Sequence, residues 1–407
     1  MTFRVGGLWA AFLAAHVLIA WMGWVYPSQP MGDVVLVYQP WSASALDGQA
    51  IVGITESWVY PQPALLPMLL TQLLAWPLNA LVGTTGAYLI AWAVLITALD
   101  AVGLGVLVGR RGTAARRSAG WFWTAALALL GPIAMYRIDA VTVPLAVIGG
   151  CWIVKRPAVG AVLLTIAAWI KIWPGALIVA AVAAARSRMR VLLAFLTVSV
   201  ATVLVLFLLG ADRHLFGFLT EQTGRGLQIE AVVATPFMWM AVAGAATVEY
   251  SFDILTFQIS ATGAAVVAAV LTPLMALAAI AVVILGAVKA VRGAAFPRLF
   301  PSLAIALVTV LIVTNKVGSP QFQSWLIAPV ILWIVFDRTR SAVPAVLVLA
   351  LCGLTCLVYP LTYDALLRAE ILPVILLSAR NVLVIVLLVV SVRALSRVPS
   401  ARPSKRN

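Results

Sequence analysis

The sequence predicts an all-α polytopic membrane protein, and three observations carry that reading. Hydrophobic residues make up 64% of the 407 residues and charged residues only 10%, whereas a soluble domain carries about 25% charge. Apolar runs recur from end to end, leaving no stretch for a separate soluble domain. The net charge of +14 is spread over short basic groups between those runs. That pattern reflects membrane topology and excludes nucleic acid as a partner.

A spanning helix needs about 20 apolar residues to cross a hydrocarbon core about 30 Å thick. The runs place spans at about 8–26, 86–109, 119–136, 138–154, 158–170, 172–185, 191–210, 262–288, 298–314, 325–336, 341–358 and 371–394. These make about twelve, in a single domain over 1–407, with several short of full crossing length. Only Arg4 precedes the first run and no small-residue cleavage site follows it, so the run reads as an anchor and not a removed signal.

Residues 63–82 decide the topology. If they cross, the groups RRGTAARR (110–117) and RSRMR (186–190) face outward. If they lie in the outer interface, those groups fall on the cytoplasmic side. So do Arg4, Lys155, Arg156, Lys289, Arg292, Arg298, Arg338, Arg340 and the basic tail over 395–407. The positive-inside bias favours the second arrangement, with both termini cytoplasmic and an outer loop plus interfacial segment over 27–85. The acids sort the other way: all but Asp337 and Asp100 then lie in outward loops or at outer helix ends. The long, chemically varied loops are outside, and the cytoplasmic ones are short and basic.

The first outer loop holds Asp33, Tyr38, Trp41, Asp47, Glu56, Trp58 and Tyr60. Carboxylates bind hydroxyls and aromatic faces pack on the C–H surface of a sugar ring. An interfacial aromatic belt explains Trp58 and Tyr60 equally well, but it does not explain Asp33. FLTEQTGRGLQIEA (218–231) offers Glu221, Arg225, Gln228 and Glu230; on a helix, Glu221 and Arg225 are four apart and would pair. TNKVGSPQFQSW (314–325) carries Lys316, Ser319, Gln321 and Gln323, with Gly318 and Pro320 breaking a helix at outer-leaflet depth. Polar irregular backbone there must line a cavity or be covered by protein. Lys171 and Arg380 interrupt apolar runs. Intramembrane cations are costly and mark a function or a partner, unless they snorkel to the headgroups. Lys171, Arg225, Lys316 and Arg380 are thus cations on the outer side, and an anion such as a lipid phosphate accounts for them through charge-assisted hydrogen bonds. Cys151, Cys352 and Cys356 lie in apolar runs and read as small buried hydrophobes. Two histidines, His16 and His214, are too few for a His-rich metal site, so no metal is expected.

The motifs GDVVLVYQPW (32–41), WVYPQPALLPML (58–69), RGLQIEA (225–231), NKVGSPQFQSWL (315–326) and ARNVLV (379–384) follow one another in that order. In that order they resemble the integral-membrane glycosyltransferases of the GT-C superfamily, in particular glycosyltransferase family 87. That family includes polyprenol-phosphate-mannose-dependent α-1,2-mannosyltransferases acting on phosphatidylinositol mannosides and lipomannan. The resemblance implies a GT-C-type fold in the plasma membrane, an extracytoplasmic active site and no cofactor. It further implies a polyprenyl-phosphate sugar donor, a glycolipid or lipoglycan acceptor, and inversion at the anomeric carbon. Asp33 matches the catalytic base of the first outer loop. Lys316, Arg380, Lys171 and Arg225 are the expected donor-phosphate ligands, and Tyr38, Trp41, Glu230, Gln321 and Tyr60 the expected sugar or acceptor contacts. The chain departs from some relatives in having no histidine in the late outer loops. Two other activities suit the same composition: a GT-C transferase of another sugar, such as arabinofuranose, and a multi-pass lipid or solute transporter. Against transport, the halves show no clear repeat and the charges crowd the outer side instead of the midplane.

Overall fold

A computed structural model describes residues 2–109, 112–221, 224–251 and 256–400. Arg110 and Arg111 of the first basic group, Asp253, and the part of the basic tail beyond Ser400 lie outside them. The protein is 77% helical, and the described residues form one two-stranded sheet. α1 (Thr2–Val25) leads through a π-helical turn (Val34–Tyr38) into α2 (Gln39–Leu46). α3 (Leu65–Ala75), α4 (Asn79–Val108), α5 (Ala114–Leu130), α6 (Asp139–Trp152), α7 (Pro157–Ile170), α8 (Gly175–Ala184) and α9 (Arg188–Leu208) follow. Then come the short α10 (Gly217–Thr220) and α11 (Thr235–Val242), and the antiparallel hairpin of β1 (Thr247–Ser251) and β2 (Thr256–Ser260). α12 (Ala264–Val291), α13 (Phe296–Val313), α14 (Ile327–Phe336), α15 (Ala342–Cys356), α16 (Tyr363–Leu367) and α17 (Ile371–Ser396) complete the chain.

Every apolar run expected to span is helical. Seven helical stretches among the described residues are long and apolar enough to cross a membrane, and the architecture is that of an all-α polytopic membrane protein. α6, α7, α8 and α14 are shorter than a crossing requires. α13 forms the centre, 72% buried, with α8, α12, α14 and α17 packed around it. α9 and α12 lie at the periphery, only 11% and 17% buried. Their exposed Leu193, Leu204, Phe207, Leu277 and Ile284 suit a surface bathed in lipid tails, not water. α6 and α7 approach closely through Gly149 and Gly160: a Cβ on Gly160 would lie 2.6 Å from the Gly149 carbonyl oxygen. This small-residue contact is the usual route to tight helix packing where the hydrophobic effect gives no help. It brings the start of α6 and the end of α7 into fixed register, which matters for Asp139 and Lys171 below.

The segment 63–82 holds α3, a 3-10 turn (Trp76–Leu78) and the first residues of α4. α3 has 11 residues, a length of about 16 Å, half the hydrocarbon thickness. Its Gln72 Nε2 donates to Gln39 O (3.2 Å) and Ser42 Oγ (3.0 Å) on α2. Tyr88 Oη on α4 donates to Met68 O (3.2 Å), so α3 folds back on the start of α4. Gly83, with φ of 74°, permits the break. Leu65, Met68, Thr71 and Ala75 are buried, while Leu66, Leu70, Leu73 and Leu74 are exposed. The continuous helical stretch Gln62–Val108 is long and apolar enough to cross, and the interfacial placement expected for 63–82 is a matter for labelling. Cysteines placed at Ala114 and Glu221, both exposed, test this in intact cells with an impermeant thiol reagent. The first is expected to stay unlabelled and the second to react; labelling of the first would mean that 63–82 crosses.

Candidate functional site

Asp33 sits between α1 and the π-helical turn, and what fixes it is Arg137, in the loop between α5 and α6. Arg137 Nε lies 3.3 Å from Asp33 Oδ2. Its Nη1 donates to Pro30 O (2.8 Å) and Tyr136 O (2.9 Å), and its Nη2 to Tyr359 Oη (3.1 Å). Tyr359 Oη in turn lies within hydrogen-bond reach of Ser28 O and Gln29 O, so the start of the first loop is tied to both neighbouring segments. Burial works against the Arg137 charge. The Asp33 carboxylate and the Tyr359 and Tyr38 hydroxyls outweigh that and raise its pKa above the ordinary guanidinium value. Arg137 is 6% exposed, whereas the Asp33 side chain keeps 35% of its surface. One carboxylate is therefore held by a buried cation while part of it stays accessible. Asp47 and Glu56, the other acids of that loop, are exposed.

Beside Asp33 stands an aromatic wall. Tyr38 is fully buried and its hydroxyl accepts the Ile138 N–H (3.1 Å). Burial, with the charges of Asp33 and Asp139, keeps the phenol protonated, its pKa well above the usual value. Trp41, Trp58 and Tyr60 meet edge to face, with centroids 5.2–6.1 Å apart, a favourable arrangement for aromatic pairs. Lys171 Nζ lies 4.1 Å from the centre of the Tyr60 ring and 3.9 Å from Asp139 Oδ2. Asp139 opens α6; its Oδ1 accepts Trp325 Nε1 (2.6 Å), and Trp325 stacks on Trp173 (6.3 Å, 11°).

The second and third loops close on each other. Gln228 N donates to Lys316 O (3.0 Å), and Leu227 and Phe257 join the second loop to β2 through Ile259 N–Leu227 O and Ile229 N–Phe257 O. Gly318 is required at the crossing, because a Cβ there would fall 1.9 Å from Ala231 N. Arg225 lies beyond the end of α10 in non-helical backbone, so the helical pairing expected with Glu221 does not form, although Glu221 still attracts it. Burial lowers the Arg225 pKa, and Tyr60 opposes that, which places Arg225 near the aromatic wall. Lys316 is 7% exposed. Burial, then the charge of Arg225, lowers its pKa. The two cations are thus close enough for their charges to act on each other.

Arg380 and Glu230 behave differently. Arg380 Nη1 contacts Glu230 Oε2 at 2.5 Å, Nη2 donates to Glu230 O (2.8 Å), and Nε to Asn381 Oδ1 (3.2 Å). Both side chains are 2–3% exposed. Arg380 does not snorkel, and its nitrogens are taken by protein. Lys171 likewise faces a carboxylate. Of the four cations expected at a phosphate, Arg380 and Lys171 face carboxylates, while Arg225 and Lys316 lie in the second and third loops, where Arg225 acts on the charge of Lys316. Of the expected sugar contacts, Tyr38, Trp41 and Tyr60 gather near Asp33. Glu230 is engaged with Arg380, and Gln321 is buried with its Oε1 unpartnered. Arg137, Asp139 and Tyr359 escape the sequence reading. The signal for the first two is the tripeptide Arg137, Ile138, Asp139 between two apolar runs, an ionic pair where neither topology bias nor a loop of any length demands one. Among the described residues no three His, Cys, Asp or Glu side chains converge on a metal-sized site. No protein-family model, curated protein or solved structure matches the chain.

Proposed function

We propose that the protein is a membrane glycosyltransferase that moves a hexose, mannose first, from a polyprenyl-phosphate donor to a glycolipid or lipoglycan acceptor on the extracytoplasmic face of the cell membrane. The observation that carries the reading is the partly exposed Asp33 carboxylate, fixed by Arg137, beside an aromatic wall and within the same group of loops as Arg225 and Lys316. Asp33 takes the proton of the acceptor hydroxyl as that oxygen bonds to C1 of the donor sugar. The C1–O bond to phosphate breaks, and the phosphate leaves with the electron pair. Attack from the face opposite the leaving group inverts the anomeric centre. Lys316 and Arg225 stabilise the charge gathering on the departing phosphate, as preorganised oxyanion donors do. A carboxylate tied to one buried cation moves little, and that pre-positioning keeps the base in reach of the hydroxyl.

The test is purified protein with polyprenyl-phosphate mannose and a mannosylated phosphoinositide, read by mass for a product one hexose heavier. Polyprenyl-phosphate arabinose in a parallel reaction distinguishes the other sugar. No product with either donor sinks the reading. Within the same assay, Lys316→Ala and Arg225→Ala are each expected to weaken donor use by roughly 1.5–3 kcal/mol, the worth of a hydrogen bond to a charged group. That is a rise in donor KM of about 10- to 150-fold, and unchanged donor kinetics in both variants would remove the phosphate role.

A further inference from the structure

Asp139 carries an unexplained atom. Its side chain is 1% exposed, Oδ1 is satisfied by Trp325 Nε1, and Oδ2 has no hydrogen-bond partner. A carboxylate oxygen buried without a donor is costly. The nearest cation, Lys171 Nζ, stops 3.9 Å away, a full ångström beyond a charge-assisted hydrogen bond, which runs about 2.7–2.9 Å. Lys171 is seated instead over the Tyr60 ring. Its side chain is 16% exposed, so Lys171 is the accessible member of the pair.

The chemistry of the gap selects its occupant. A phosphate or carboxylate would be repelled by Asp139, and an amine by Lys171. A hydroxyl suits both, because it donates its proton to Oδ2 and accepts from Nζ at once. The Tyr60 ring beneath the same ammonium sets an aromatic group beside the pair. We propose that Asp139 and Lys171 form a hydroxyl-reading subsite for a neutral polyhydroxylated ring, next to the aromatic wall that flanks Asp33 and made of groups other than Asp33, Arg225 and Lys316. The subsite rests on the transferase reading for its biological purpose, and it sets which sugar is accepted. A site built to satisfy a substrate hydroxyl rejects the analogue that lacks it, since its own polar groups are then left unpaired. Asp139 and Lys171 are binding groups here and take no part in proton transfer.

The experiment measures binding, so that it stands apart from turnover. Full-length protein in detergent is titrated with methyl α-mannoside and its monodeoxy analogues. Binding is read as heat by isothermal titration calorimetry. One monodeoxy analogue is expected to bind wild-type protein at least about tenfold more weakly than the parent. Against Asp139→Asn and, independently, Lys171→Gln that discrimination should shrink toward unity. Lys171→Gln keeps the question open to disproof if Asp139→Asn does not fold, which its melting temperature reports. Discrimination that persists in a folded variant overturns the subsite, as does absence of binding by the methyl mannosides and by the matching glucoside, galactoside and arabinofuranoside series. Binding with the expected coupling but no hexose transfer would retain the subsite and remove the reaction; transfer without coupling would do the reverse.

Discussion

Asp33→Asn is expected to cut hexose transfer by roughly 10²–10⁴-fold, the usual worth of a positioned general base, with donor affinity and melting temperature nearly unchanged. The amide keeps the size of the carboxylate and an oxygen that can accept from Arg137 Nε. Arg137 also retains Pro30 O, Tyr136 O and Tyr359 Oη as acceptors, so the loop stays anchored. What is lost is the ability to take a proton. Asp47→Asn and Glu56→Gln serve as comparisons, because those acids share the loop but are exposed; their turnover is expected to stay within a few-fold of wild type. The comparison is made at matched expression. An Asp33→Asn enzyme near wild-type rate, with either comparison variant dead, would move the chemistry to the rival acid and leave Asp33 as the partner that anchors Arg137.

The helices were legible in the sequence because apolar composition over 15–25 residues is a strong signal, and each run became a helix. Asp33, Tyr38, Trp41 and Tyr60 were legible because an acid among aromatics stands out in a chain so poor in charge. Pairing was not. Arg380 reads as a lone intramembrane cation until Glu230, 150 positions away, is brought against it. Asp139 reads as one more outward acid until α6 and α7 place it beside Lys171 and the third loop delivers Trp325. Those partners come from separate helices, and local periodicity carries no information about them. Arg137 was hidden for a related reason. A basic residue next to an acid looks like a local ion pair, whereas here Arg137 reaches back to Asp33 and Pro30, more than a hundred residues away.

The Arg380–Glu230 pair gives the second large effect, and it concerns stability. Burial raises the Glu230 carboxyl pKa, and the Arg380 charge opposes that rise. Both groups are almost fully buried, so removing one leaves an uncompensated charge. Arg380→Met is expected to destabilise the protein by roughly 3–5 kcal/mol, and Glu230→Met by a similar amount. The double variant should recover most of the loss, because a buried ion pair replaced by apolar groups of similar volume is often neutral. The pH dependence of Arg380→Met checks the cause. Without its cation, Glu230 has a folded pKa above its unfolded value of about 4.3, so the folded state binds the extra proton. Stability is then fully present below the unfolded pKa and lost as pH rises through the folded one. Melting temperature of Arg380→Met should therefore climb on acidification toward pH 4, relative to wild type, while that of the double variant should show no such gain. Equal melting temperatures for wild type and both single variants would instead mean that Arg380 is only loosely held by Glu230, and would return it to the set of cations available to the donor phosphate.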